Sequence, residues 1–182
     1  MREPTPSQMD RGASFRAYRP SDYDAVAVLW AEINRELAPP HLREAFERYI
    51  AVSLEEELAK ADKLYDPADG SCLKVVLLKQ AIIGTLGVQR VDADKAELRR
   101  FYLRSDRRGG AIARKMLEHA EAHAAAVGFR KLVLSTAELQ RAAVAFYRKN
   151  GYTLTHVAVE EAASAKTVGG GVKRLHFEKA LV

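Results

Sequence analysis

A single cysteine, Cys72, stands among the 182 residues. That excludes an internal disulfide and a cysteine-built zinc centre. It suits a reducing compartment, so a cytoplasmic location is expected. Long apolar runs are missing too. No stretch approaches the roughly 20 apolar residues of a membrane-spanning helix, so no membrane partner is expected. Residues 1–14 are polar, contain Pro4, Pro6 and Gly12, and lack an apolar segment of the secretory type. They read as a flexible leader ahead of one domain at 15–182. Proline is sparse and ends at Pro67, so it interrupts nothing afterwards. Nor is charge of one sign abundant. Twenty-nine Lys and Arg against 24 Asp and Glu leave a net charge of +5. This excess is compatible with an anionic ligand. It does not mark a nucleic-acid binder, and no helix-turn-helix, zinc-finger or RNP pattern supports one, so no nucleic acid is expected.

Apolar residues make up 48% of the chain and charged residues 29%, the balance of a globular protein. A chain of this length buries about 70% of its unfolded surface and needs no staples. Alternation predicts a short strand at 15–19. Ser21 and Asp24 then suit a helix start, and Val26, Leu29, Trp30, Ile33 and Leu37 recur at helical spacing over 22–37. Pro39-Pro40 ends that helix. Residues 41–62 read as helical in two pieces, with Ser53-Leu54-Glu55-Glu56 as a capping box between them. A turn at 66–70 leads to strands at 72–78 and 81–91. Gly84 and Gly87 mark bulges or close approaches in the second of these. Residues 96–103 alternate as a central strand carrying Leu98, Phe101 and Leu103. A helix follows to Gly128. The strand at 131–134 is expected to run parallel to the last one, because a helix joins them. A helix at 138–149 ends at Asn150-Gly151, and strands at 152–159 and 172–181 close the chain.

The strongest signal lies where the central strand ends. Arg104-Ser105-Asp106-Arg107-Arg108-Gly109-Gly110 leads straight into a helix. Two glycines let backbone approach a ligand, the first-turn amides lack partners, and the helix end is positive. That combination suits phosphate. The loop is neither a Walker A sequence nor a dinucleotide fingerprint.

Glu97 to Leu103, followed by Arg108-Gly109-Gly110-Ala111-Ile112-Ala113, resembles motif A of the GNAT family of N-acetyltransferases, written Arg/Gln-x-x-Gly-x-Gly/Ala. Ala111 stands where glycine is usual. Ala143-Val144-Ala145-Phe146-Tyr147-Arg148-Lys149-Asn150-Gly151-Tyr152 resembles motif B of the same family, and Gln140 takes the place of a usual Asn. The resemblance covers about 15–181. It implies an α/β fold: a single domain with a mixed sheet of about seven strands, splayed between the motif A strand and the next. About four to five helices would lie on both faces.

It also implies acetyl-CoA as co-substrate, without a metal. Phe101, Tyr102 and Leu103 would meet the pantetheine, and Arg108, Gly109, Gly110, Ala111, Ile112 and Ala113 the pyrophosphate. Gln140, in place of the usual Asn, would make one cofactor-binding polar contact in weakened form. The implied reaction is N-acetyl transfer to a primary amine, small-molecule or peptide, by direct attack on the thioester. Tyr147 would be the general acid and Glu97 a carboxylate base, with Glu160, Glu161 and His156 as weaker candidates near the acceptor's entrance. The alternative is a CoA-binding regulatory or interaction module without turnover. A homodimer is admitted, since dimers are common in the family.

Other residues carry plainer expectations. His119 and His123 share a helix face but lack the H-E-x-x-H arrangement and a third ligand, so no metal is expected. Cys72 reads as a buried strand thiol and Trp30 as core. Glu55, Glu56 and Glu57 read as a solvated helix face, and Gly169-Gly170-Gly171 as a flexible loop. Glu32, Glu36 and Glu44 hint at a cationic acceptor.

Overall fold

The computed structural model describes residues 12–181. Residues 1–11, most of the expected leader, lie outside them. Strand β1 (Ser14–Ala17) opens the fold at what the sequence suggested was the leader's end. Asp22 organises the entry to α1 (Tyr23–Leu37) by accepting from the Arg19 amide at 2.8 Å and pairing with Arg16 at 2.6 Å. Asp22, not Ser21, occupies the N-cap position of α1, but its carboxylate is engaged by the Arg19 amide and Arg16 and caps no amide of the helix. Val26, Leu29, Trp30 and Ile33 form the buried stripe of α1.

Helix α2 (Arg43–Glu56) runs unbroken through Ser53, which is buried mid-helix and caps nothing. The break falls at Glu57, where φ is −120°, before a 3-10 turn (Leu58–Lys60) and the single turn α3 (Ala61–Leu64). Strands β2 (Cys72–Leu78) and β3 (Ala81–Arg90) form a hairpin. Its turn residues Lys79 and Gln80 both have positive φ, as a two-residue type I′ turn requires. Strand β4 (Lys95–Leu103) leads through a 3-10 turn (Ser105–Arg107) to α4 (Ala111–Val127), which Gly128 ends at φ +102°. Strand β5 (Lys131–Ala137) is longer than expected. Helix α5 (Arg141–Lys149) starts later than expected, because a turn at 137–140 intervenes. Strands β6 (Thr153–Glu160) and β7 (Val172–Ala180) close the sheet.

The seven strands are ordered β1-β2-β3-β4-β5-β7-β6, and only β4 and β5 pair in parallel. One face packs on α4 and α5 through Leu98, Leu132, Phe177, Ile112 and Met116. The other packs on α1 and α3 through Leu73, Val75, Trp30 and Tyr65. The α/β architecture with a mixed seven-stranded sheet is the one expected.

Candidate active site

Strand β4 holds the site because it does not keep its alternation. Opposite β3, the register slips between Thr85 and Gly87, so β4 carries an extra residue at Arg100–Phe101. Arg100 takes φ +49° there, the distortion of a β-bulge. Two local bonds hold it: Trp30 Nε1 donates to Thr85 Oγ1 at 3.0 Å, and Thr85 Oγ1 donates to the Arg100 carbonyl at 2.8 Å. Gly84 is required alongside, since a Cβ would lie 2.6 Å from the Tyr102 carbonyl. The slip lets Leu98 and Leu103 bury on one face while Arg99 and Arg100 both reach Glu57 on the other.

Glu57 is 2% exposed, which corrects its reading as part of a solvated face; Glu55 and Glu56 are exposed as expected. Its carboxylate accepts from Arg100 Nη2 at 2.6 Å, from Arg99 and from the Tyr65 hydroxyl. Burial alone would raise its pKa. The two guanidiniums outweigh burial and hold it at about 2. Arg100 also stacks over Trp30 at 4.6 Å, donates to the Tyr49 hydroxyl at 2.9 Å and to the Ala165 carbonyl at 2.8 Å.

The same strand parts from β5. Ladder pairing stops at Glu97 and Val133, leaving residues 98–103 and 134–137 without partners in each other. Two cavities occupy the splay. One, of about 360 Å³, is mainly apolar and runs from Ile33 and Leu37 past Phe101 and Leu103 to Arg108, Gly109 and Ala113. The other, of about 100 Å³, is polar and is lined by Glu97, Arg99, Arg100, Lys166 and Arg174 with Tyr49 and Asn34. Phe101, Tyr102, Gln140 and Tyr147 line both, so the cavities share one wall.

Tyr147 is fixed by its own helix end. Asn150 and Tyr152 donate backbone bonds to its carbonyl, and Gly151 makes the exit at φ +87°. Its ring is 6% exposed and packs on Phe101, Phe146, Tyr152 and Phe177. Its hydroxyl has no hydrogen-bond partner among the described residues, yet it is not sealed off and opens on the cavities. Burial, with Tyr102 nearby, pushes that hydroxyl above the ordinary tyrosine range. Packing and an accessible hydroxyl therefore coexist in one residue.

The Gly109 loop is open. Gly109 has φ +79°, and a Cβ there would meet nothing within 4 Å. Neither its amide nor that of Gly110, the N-cap of α4, finds a protein acceptor among the described residues. The Arg107 and Arg108 amides are taken by Arg104 and Ser105 carbonyls. The Arg108 side chain is tied to the Leu103 carbonyl at 2.9 Å and to Glu36 at 3.3 Å. Ile112 is 0% exposed, its side chain in the core, so only its backbone can serve a ligand. Gly110, Ala111 and Ile112 are not lining residues of the larger cavity, whereas Phe101, Tyr102, Leu103, Arg108, Gly109, Ala113 and Gln140 are.

Several expectations change. Glu36 binds Arg108 and Ser105, Glu44 lies exposed beside Arg48, and neither they nor Glu32 line the polar cavity. Gly169, Gly170 and Gly171, all at positive φ, form an ordered turn in place of a flexible loop. Gly170 and Gly171 donate to the Glu161 and Glu160 carbonyls, and a Cβ on Gly169 would lie 2.6 Å from the Ala163 nitrogen. His119 contacts Lys74 and stacks on Phe15, whereas His123 contacts the Gly70 carbonyl, so the two rings serve separate partners. His156 stacks on His176 at 4.1 Å. Cys72 is a half-buried strand thiol whose pKa burial raises.

Sequence reasoning missed Glu57, Tyr49, Lys166 and Arg174, which meet the site from distant segments. One signal was readable. Leu98, Phe101 and Leu103 are spaced three and then two apart, a slip that marks the bulge.

Residues 28–152 match the sequence profile of the Acetyltransferase (GNAT) family. N-acetyltransferase 8B of Homo sapiens is 28% identical over 113 residues, 59% of this chain. That stretch is 50% of the human protein, and the chain spans about half the length of the curated relatives of this kind. Among solved structures, the PaiA N-acetyltransferase of Thermoplasma acidophilum, in complex with coenzyme A, superposes with a TM-score of 0.73 at 19% identity, covering 93% of this chain and 99% of that one. The ribosomal-protein-alanine N-acetyltransferase of Brucella melitensis gives 0.70 at 18% identity, covering 92% and 99%. At such identities the likeness speaks for the fold.

Proposed function

We propose, from the premise that this chain belongs to the acetyltransferase (GNAT) family, that it transfers an acetyl group from acetyl-CoA to a primary amine by direct attack. The observation that carries this reading is the shared wall of two unlike cavities, with Tyr147 in both. The larger, apolar cavity and the unpaired edge of β4 suit a pantetheine arm. The Gly109 and Gly110 amides, at the positive end of α4 and without a protein acceptor among the described residues, suit a diphosphate, because open amides there favour an anion. The polar cavity receives the amine.

When bound, acetyl-CoA supplies the activated acetyl thioester. The chain's own groups manage the protons. Glu97, the carboxylate that lines the polar cavity, takes the extra proton of the acceptor's ammonium form and passes it to solvent, then takes a second proton from the nitrogen as it adds to the thioester carbonyl. The amine nitrogen then bonds to the acetyl carbon as the carbon–sulfur bond breaks. Tyr147, kept protonated by burial, donates its proton to the departing sulfur. Solvent returns the second proton from Glu97 to Tyr147, so an ammonium and a thioester give one amide, one thiol and one proton released to solvent. Initial rates with both substrates varied, followed by thiol release, test this. Intersecting double-reciprocal lines are expected. Parallel lines, the mark of a covalent acyl-enzyme, or thiol release that does not depend on amine would overturn it.

A further inference from the structure

The polar cavity is unbalanced in charge. Four cations, Arg99, Arg100, Lys166 and Arg174, line it. Two carboxylates answer them: Glu57 binds Arg99 and Arg100, and Glu97 binds Lys166 at 2.7 Å and Arg99 at 3.7 Å. Arg174 is left over. It has no carboxylate partner among the described residues. Its Nη2 donates to the Ser135 carbonyl at 3.1 Å and to Ser135 Oγ at 2.7 Å. Its Nη1 and Nε donate to no protein atom among those residues, yet they are not sealed off as Arg100 Nε is. The register places Arg174 opposite Ala137, at the end of β5 that has parted from β4. A half-buried guanidinium with free donors, in a cavity where cations outnumber the Glu97 carboxylate, forms no ion pair among the described residues. Its planar fork matches a carboxylate.

We infer that the acceptor is a small amine whose own molecule carries a carboxylate, and that Arg174 selects it. This rests on the transfer reading above and names its substrate class. The polar cavity, about 100 Å³, suits a group of that size. A polycationic acceptor would add charge beside cations already in excess. The glutamates that suggested one, Glu32, Glu36 and Glu44, do not line this cavity.

The test compares the common amino acids, their primary amides and their decarboxylated amines, in wild type, Arg174→Gln and Arg174→Lys. Amino acids are expected to exceed both analogues at least tenfold in kcat/KM, since loss of a charge-assisted pair costs about that much or more. Arg174→Gln is expected to erase the preference by lowering kcat/KM at least tenfold more for amino acids than for their amides, and Arg174→Lys to restore part of it. Analogues equal to or better than amino acids, or an equal loss on all three classes in Arg174→Gln, would overturn the inference. A second arm needs no turnover: N-acetyl amino acids are titrated by calorimetry into protein with CoA at saturation, or into protein alone if CoA does not bind. Binding to wild type but not to Arg174→Gln supports the carboxylate site even if transfer fails, which would count against the transfer reading only. Absence of binding to wild type, or equal binding to both, contradicts the site itself.

Discussion

Tyr147 and Glu57 show how a single side chain can be settled by what surrounds it. For Tyr147, the raised hydroxyl pKa has a definite sign. A general acid works protonated, so kcat is not expected to fall between about pH 8 and pH 10, the range in which an ordinary tyrosine begins to ionise. Tyr147→Phe is expected to lower kcat by about 10²- to 10⁴-fold while leaving CoA affinity, read by calorimetry, within about threefold. An unchanged kcat would remove Tyr147 from the chemistry. For Glu57, the folded pKa of about 2 lies below its unfolded value. Its contribution is therefore complete above the unfolded pKa of about 4.3 and is lost as pH falls toward the folded one, roughly 3 kcal/mol in all. Glu57→Gln leaves two guanidiniums buried without their anion, and an unfolding cost of about 3–5 kcal/mol is expected in urea. A cost below about 1 kcal/mol would show that the cluster does not hold the helix break to β4. None of this was legible in the sequence, where three adjacent glutamates look solvated. The burial of the third depends on arginines more than forty positions away.

At the scale of elements, the β4 bulge matters in two ways. It turns Arg99 and Arg100 to one side, and it lies in the stretch of β4 that has already left β5, past the last pair at Glu97 and Val133. The sequence carried most of the frame: strand and helix periods, glycine stops and the parallel crossover all follow from local pattern. The bulge was only faintly written, in the spacing of Leu98, Phe101 and Leu103. The glycines separate stability from binding. Gly84→Ala drives a Cβ onto the Tyr102 carbonyl, a backbone atom that cannot swing aside, and is expected to destabilise the fold by about 1–3 kcal/mol. Gly109→Ala meets open space, so only the positive φ penalises it, by roughly 1 kcal/mol. Its Cβ would stand where the diphosphate is proposed to sit, so CoA affinity is expected to fall by tenfold or more. If the two variants exchanged these phenotypes, the division between frame and cradle would be wrong.

For the whole molecule, two half-sites built by different parts of the chain share one wall. Helix α1, β4, the Gly109 loop and α5 make the apolar half, whereas β5, β7, α2 and the loop carrying Ala165 and Lys166 add the charged half. Motif order made the first half legible, because its residues are close in sequence. The second was not, because its residues meet only when the sheet has formed. A ligand that binds only the folded state at a hundredfold excess over its Kd stabilises by about 2.7 kcal/mol, roughly 5–10 °C in a chain of this size. Such a rise in Tm is expected with CoA. The most direct measurement is a titration with CoA followed through backbone amide ¹H–¹⁵N shifts. The account predicts saturable shifts concentrated at residues 98–103 and 109–113, with the Gly109 and Gly110 amides moving downfield as they bond the diphosphate. Saturation that leaves those amides unmoved would contradict it.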